Sequence, residues 1–296
     1  MENTYVIGVD IGGTTYSTSL FTQELKLVHT SEIVHVCESN NQVQLLDAIS
    51  KQIMDAAEGK SINGVGFACP GPLDAKLGRI LDTPNLLLLQ NCEFINEMKN
   101  RLNLSCFLDN DANLFALGEY NSHSGKKDVF IGITLGTGLG FGIVINGELF
   151  TGAHGMATEY GISPVACGKW ETDISIDGIT NLSEKYLHEM LDPKTISKMA
   201  SNGNENAQHI WDKFGEKLGL CLSHVINMFD PNAISVGGGL SNAFKHFQYS
   251  MRKNIIKYSP AYVHYNIEIF ESTDKELSAK RGAALNATIQ MDIDFK

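Results

Sequence analysis

The stretch from Ile131 to Ile145 constrains this chain most: two apolar, β-branched runs joined by a glycine-rich turn with Thr137 at its tip. A glycine-x-glycine spacing after a strand also occurs in dinucleotide-binding folds, but there the turn must open a helix whose N-terminus meets the pyrophosphate. Here a second strand follows, so the turn belongs to a hairpin. Glycines permit close approach and φ > 0, so the backbone N–H groups of such a turn can converge on an anion, and Thr137 adds a hydroxyl donor. Gly136, Thr137 and Gly138 are therefore candidate phosphate-binding residues, although an ordinary glycine-rich hairpin would read the same way.

The pattern recurs near the start. Tyr5 to Val9 reads as a buried strand, Asp10-Ile11-Gly12-Gly13-Thr14-Thr15 as a turn, and Tyr16 to Phe21 as the returning strand. Gly12 and Gly13 would bring amides to a phosphate, Thr14 and Thr15 would add hydroxyls, and Asp10 would face a magnesium ion, directly or through water. Such an aspartate also commonly caps a turn. Late in the chain Ala233–Val236 runs into Gly237-Gly238-Gly239-Leu240. A purine or ribose can lie against side-chain-free backbone, which makes Gly238 and Gly239 candidates for the nucleotide. One such turn is weak; three in this order point to a nucleotide-phosphate protein, and two hairpins in matching positions suggest duplication.

Composition bounds the class. With 296 residues, 43% hydrophobic and 19% charged, the chain can bury the cores of two domains. A net charge of −11 disfavours a nucleic-acid surface, and Lys126-Lys127 is only a short basic pair. No signal-like segment precedes the first strand and no run reaches the ~18 apolar residues of a membrane span, so a soluble, cytoplasmic protein is expected. Cys37, Cys69, Cys92, Cys106, Cys167 and Cys221 are scattered and read as small core residues of a reducing compartment.

Helical spacing predicts helices from Val43 to Ala57, Phe94 to Leu102, about 209 to 229, about 243 to 258 and about 280 to 291, with strands at 63–68 and 106–109. The polar tract from Asp192 to Gln208 reads as a surface turn between helices. The domain boundary is expected at Asn110.

D-I-G-G-T near the start, P-G at 70 and 71, N-D-A-N at 110–113, L-G-T-G-L-G at 135–140, G-A-H-G with Glu159 soon after, and G-G-G at 237–239 together resemble the ROK family of sugar kinases over nearly the whole chain. The resemblance implies an α/β, actin-like (ribonuclease-H-like) ATPase fold, in which two α/β domains close over nucleotide and sugar. It implies ATP and Mg²⁺, a hexose as substrate and a homodimer. It further implies that the last helix packs back on the first domain, giving a smaller α/β domain of residues 1–110 plus 281–296 and a larger one of 111–280. Phosphoryl transfer needs in-line placement, charge stabilisation and a carboxylate beside the attacking hydroxyl. By position alone Asp109 and Asp111 compete for that role; the N-D-A-N resemblance selects Asp111 as the base. It also assigns Gly71, Asn85, Asn110, Asp111, Glu159 and Glu171 to the sugar. Out of that context Asn85 is a turn residue and Glu159 a solvated charge.

One departure stands out. Family members commonly carry zinc on an E-x-G-H histidine and a cysteine cluster, whereas this chain has Glu159-Tyr160-Gly161-Ile162 and, of the thiols, Cys167 alone. A lone thiol cannot complete a tetrahedral zinc set, so no zinc site is expected, and Ile162 should alter which sugar edge is recognised. The leading expectation is an ATP-dependent kinase of a glucose-, allose-, mannose- or N-acetylmannosamine-type sugar acting at the 6-hydroxyl. The alternatives are a catalytically silent sugar-binding or sensing ROK protein. A sensing repressor would need a DNA-binding domain ahead of Asp10, and a P-loop kinase lacks its motif at Gly125-Lys126-Lys127.

Overall fold

The computed structural model describes residues 4–123, 127–166, 168–274 and 277–294. The chain divides into two compact units, Met1–Ser124 with Leu149–Ala157 and Asp274–Lys296, and Gly125–Glu148 with Thr158–Thr273.

The first unit is built on β1 (Tyr5–Ile11), β2 (Thr15–Thr22), β3 (Leu27–Thr30), β4 (Ile62–Cys69) and β5 (Ser105–Asn110), in the spatial order β3-β2-β1-β4-β5. Val34–His35 pairs with β2 as a sixth, two-residue strand. β1 and β2 are antiparallel, whereas β4 runs parallel to both β1 and β5. Period-two alternation sends Ile7, Val9 and Ile11 to one face of β1, where they pack with α1 (Gln42–Ala57) and α2 (Phe94–Leu102). Helix α1 starts where the Asn41 side chain accepts from the Gln44 N–H, and buries Leu45, Leu46, Ile49 and Ile53. Val6, Gly8 and Asp10 take the opposite face. A Cβ on Gly8 would stand 1.8 Å from the Lys280 carbonyl, so the helix on that face lies directly against the strand. That helix is α8 (Ser278–Asp294), which shares the face with α3 (Asp111–Ser122).

The second unit repeats the order with β6 (Val129–Leu135), β7 (Leu139–Ile145), β8 (Glu148–Leu149), β9 (Ala233–Gly237) and β10 (Glu268–Glu271), arranged β8-β7-β6-β9-β10. Its core joins Ile131, Ile133 and Ile234 to Trp211, Phe214 and Phe247 from α6 (Glu205–Phe229) and α7 (Phe244–Tyr258), which follow α4 (Ile176–Leu187) and α5 (Pro193–Ser201) in the chain.

Several sequence expectations are corrected here. The tract 192–208 is not one turn: Asp192 caps α5 by accepting from the Lys194 and Thr195 N–H groups, Pro193 opens it, and Asn204 caps α6. Helix α3 has no amphipathic stripe for a sequence reading to find, because residues 112–119 are buried on every side, the polar Asn113 and Glu119 among them. It packs with α8 inside the first unit, so the expected boundary at 110/111 falls within that unit. Cys37 is exposed rather than core, while Cys69, Cys92, Cys106 and Cys221 are buried. Cys167 lies outside the described residues.

Candidate active site

In the first unit the turn between β1 and β2 is closed by the Gly12 N–H donating to the Thr15 carbonyl (2.8 Å). A Cβ on Gly13 would stand 2.5 Å from the Asn85 carbonyl, so the turn and the 83–85 loop are in contact and Asn85 lies beside the phosphate-turn candidate. Thr14 and Asn85 are exposed; Gly12, Gly13, Thr15 and Gly71 are half-buried. Gly71 follows β4 and is joined to Pro72 by a cis peptide.

Three strands align the acids. Asp10 of β1 is in register with Ala68 of β4, and Ala68 with Asp109 of β5. The chain then turns into α3, whose first residue is Asp111. Asn110 caps that helix: its Oδ1 accepts from the Ala112 and Asn113 N–H groups at 2.9 and 3.3 Å. Asp109 and Asp111 differ in their surroundings. Asp109 is buried, and its Oδ1 accepts from the Asn113 amide (2.9 Å) and the Asn110 N–H (2.7 Å). Asp111 is half-buried, and one of its oxygens accepts from the Ala112 N–H (2.8 Å).

Desolvation raises the pKa of both Asp109 and Asp111. Asp10 is pushed up to about 6, by desolvation first and the nearby Asp111 charge second, against a lowering pull from Lys280. Lys280 stands at this site although nothing in the motifs marked it. Only 3% exposed, it donates to Ser17 Oγ (3.0 Å), and Ser17 is the cross-strand partner of Asp10. A lysine is almost never that buried without a partner, and a charge set inside the small-residue run Ser278-Ala279-Lys280-Arg281-Gly282 was the available signal.

Magnesium is ordinarily held by one or two carboxylates together with phosphates and water. Asp10 fits that use, since a cation there would relieve the crowding of two like charges. Among the described residues no group of three or more His, Cys, Asp or Glu is arranged as a metal cluster.

In the second unit the β6–β7 turn presents Thr137 to solvent, and its Gly136 N–H donates to the Gly138 carbonyl (3.0 Å). Neither Gly136 nor Gly138 adopts φ > 0, which corrects the conformational argument made from sequence. Space distinguishes them instead: a Cβ at Gly136 would meet nothing within 4 Å. Beside β6, Gly237 pairs with Thr134, and Gly238 follows at φ 79°, where a Cβ would stand 2.4 Å from the Leu135 carbonyl. Gly239 is open like Gly136, with nothing within 4 Å of a Cβ. Gly238 is therefore required by the fold, whereas Gly136 and Gly239 leave a bare backbone surface that internal packing does not require.

Glu159 begins a 3-10 turn, Glu159–Ile162, and is exposed; Ile162 is 54% exposed and so is not core packing. Glu171 lies in the single helical turn Trp170–Asp173, paired with Lys169 (2.5 Å), and its Oε2 stands 3.2 Å from where a Cβ on Gly138 would be. Asp10, Asn85, Asn110 and Asp111 thus gather in the first unit, and Gly136–Gly138, Gly238–Gly239, Glu159 and Glu171 in the second.

Residues 6–289 match the ROK family, and the chain belongs to it. It is 29% identical over 289 residues to the glucokinase of Thermotoga maritima, covering 89% of this chain and 91% of that one. It is 30% identical over 274 residues to the N-acetyl-D-glucosamine kinase of Photobacterium profundum, covering 85% and 89%. Among solved structures, the ROK family glucokinase of Streptomyces griseus in complex with glucose and AMPPNP superposes with a TM-score of 0.83 at 26% identity, covering 96% of this chain and 99% of that one. The fold is that of the actin-like ATPases, and the chain is an ATP-dependent sugar kinase.

Proposed function

We propose that the chain transfers the γ-phosphate of ATP to the 6-hydroxyl of an aldohexose or N-acetylhexosamine of the glucose, allose, mannose or N-acetylmannosamine type. Relatives named as glucokinase and as N-acetyl-D-glucosamine kinase support the hexose class. The observation that carries the reading is the contrast between the two neighbouring acids. Asp109 spends one oxygen on two fixed donors inside the unit, whereas Asp111 stands half-open at the start of α3 with a raised pKa. A base works best with a pKa drawn toward the working pH, which burial does here.

In this reading Asp111 accepts the proton of the attacking hydroxyl. Asp10 carries the magnesium ion, directly or through water, which supplies charge neutralisation on the phosphates. Gly12, Gly13, Thr14 and Thr15 serve the phosphates from the first unit, and Gly136, Thr137 and Gly138 from the second, with Gly238 and Gly239 against the nucleoside. Gly71, Asn85, Asn110, Glu159 and Glu171 take sugar hydroxyls, each of which needs a partner once removed from water. Asn110 already spends its Oδ1 on the helix cap, so its amide nitrogen is the group left to donate.

The protein is further proposed to work as a cytoplasmic homodimer without structural zinc. Sedimentation and elemental analysis test these, and one zinc per chain surviving dialysis would overturn the last. No helix among the described residues is long and apolar enough to cross a membrane. The activity itself is tested by ADP release across a hexose panel.

A further inference from the structure

Glu159 and Glu171 are twelve residues apart, yet the neighbour of each sends its ring into one aromatic cluster. Tyr160 follows Glu159, and Trp170 precedes Glu171; their rings lie 6.3 Å apart, tilted by 41°. Tyr160 also meets Phe141 of β7 edge-on at 5.7 Å. The fourth member is His224, an exposed residue of α6. Its Nδ1 is 2.7 Å from the Tyr160 hydroxyl, and its ring stands edge-on to Trp170 at 5.6 Å.

The backbone between them is equally constrained. Pro164–Val165 pairs with Gly168–Lys169, and the Trp170 N–H donates to the Ser163 carbonyl (3.2 Å). A Cβ on Gly161 would stand 2.1 Å from the Leu139 carbonyl, so the 3-10 turn is pressed onto the first residue of β7. The backbone at Glu159 and at Glu171 cannot shift far without moving a ring of the cluster.

We propose that the Tyr160–His224 hydrogen bond, with Trp170 packed beside it, is a positioning device that sets where Glu159 and Glu171 stand and so tunes affinity for the sugar without touching it. This rests on the assignment of both glutamates to the sugar in the hexose kinase reading. Tyr160 and His224 are positioning residues. Tyr160→Phe removes only the hydroxyl and keeps the ring contacts, and His224→Ala acts at an exposed position, so both proteins should fold. One net hydrogen bond corresponds to roughly 2- to 10-fold in affinity.

The test is steady-state kinetics on the purified full chain, with melting temperatures and calorimetric titration of glucose and N-acetylglucosamine. Tyr160→Phe and His224→Ala should each raise the KM and Kd for sugar by that factor, with kcat and the KM for ATP held and the melting temperature lowered by no more than the few degrees that one net hydrogen bond accounts for. His224→Asn should recover most of the loss, because the Asn amide puts a polar atom near the position of Nδ1. Unchanged sugar KM and Kd in both variants would overturn the proposal. So would sugar and ATP KM values that rise together with a larger fall in melting temperature, the mark of plain destabilisation. A wild type that binds a hexose without phosphorylating it would end the kinase reading and leave this one to be judged on Kd.

Discussion

The two sheets share one strand order and place a glycine turn after the first strand of each, yet the chemistry around those turns differs. In the first unit the turn is packed by its own protein: Gly13 lies against Asn85, and the strand entering the turn carries Asp10 beside Asp111 and Lys280. In the second, Gly136 faces open space and Thr137 is exposed. A repeated strand-turn-strand can therefore be kept as a frame while one copy gathers acids and a buried lysine and the other leaves a bare backbone surface. Glycines in the two settings are present for different reasons, and substitution separates them.

The largest expected effect falls on the acids of the first unit. Asp111→Asn should lower kcat by at least ~10²-fold while sugar still binds, because only the base is lost. Asp109→Asn should leave kcat far nearer wild type, since an amide oxygen in place of Oδ1 can still accept from the Asn113 amide and the Asn110 N–H. A kcat loss larger for Asp109→Asn than for Asp111→Asn in folded protein would reverse the assignment.

Next comes the second unit. Thr137→Val should weaken kcat/KM for ATP by roughly 10-fold or more, as expected for a hydroxyl donating to a charged group worth ~1.5–3 kcal/mol, with sugar KM little changed. An unchanged ATP response would make the β6–β7 turn purely structural.

The glycine pair at the end of β9 sharpens the contrast. Gly238→Ala should cost ~1–3 kcal/mol of stability, because φ is 79° and its Cβ would strike the Leu135 carbonyl. Gly239→Ala should leave thermal or denaturant unfolding almost unmoved and weaken ADP binding. Equal destabilisation by the two would show that packing, not ligand, explains both.

The smallest effect is one of pH. Asp10 has a folded pKa near 6, above its ordinary value of 3.8, so between those values the folded state holds more protons than the unfolded. Its contribution to stability is favourable below pH ~4 and is lost as pH rises through about 6. Asp10→Asn should therefore raise the melting temperature at pH 7 to 8, leave it unchanged near pH 4, and lower activity. A variant less stable at pH 8 than wild type would contradict that sign.

Much of this was legible in the residues. Alternation and glycine spacing marked β1, β2, β6, β7 and β9, because strands buried against helices leave period-two and β-branched signatures. Helix α3 was not legible, since burial all round removes the amphipathic stripe that identifies a helix. The choice between Asp109 and Asp111 rested on the family resemblance; the structure shows a difference in their surroundings, the Asn113 amide that Asp109 accepts, which kcat of the two variants will test. Lys280 and the Tyr160–His224 contact were hidden because their partners lie far away in sequence, at Ser17 and between residues 160 and 224.

The central claim, ATP-dependent phosphorylation of a hexose, is met most directly by coupled ADP release with glucose, mannose, allose, N-acetylglucosamine and N-acetylmannosamine. The account predicts that at least one of these sugars drives magnesium-dependent ADP release well above the sugar-free rate, with a sugar 6-phosphate as product. No sugar-dependent ADP release across the whole panel, from folded protein that binds one of the sugars, would contradict it.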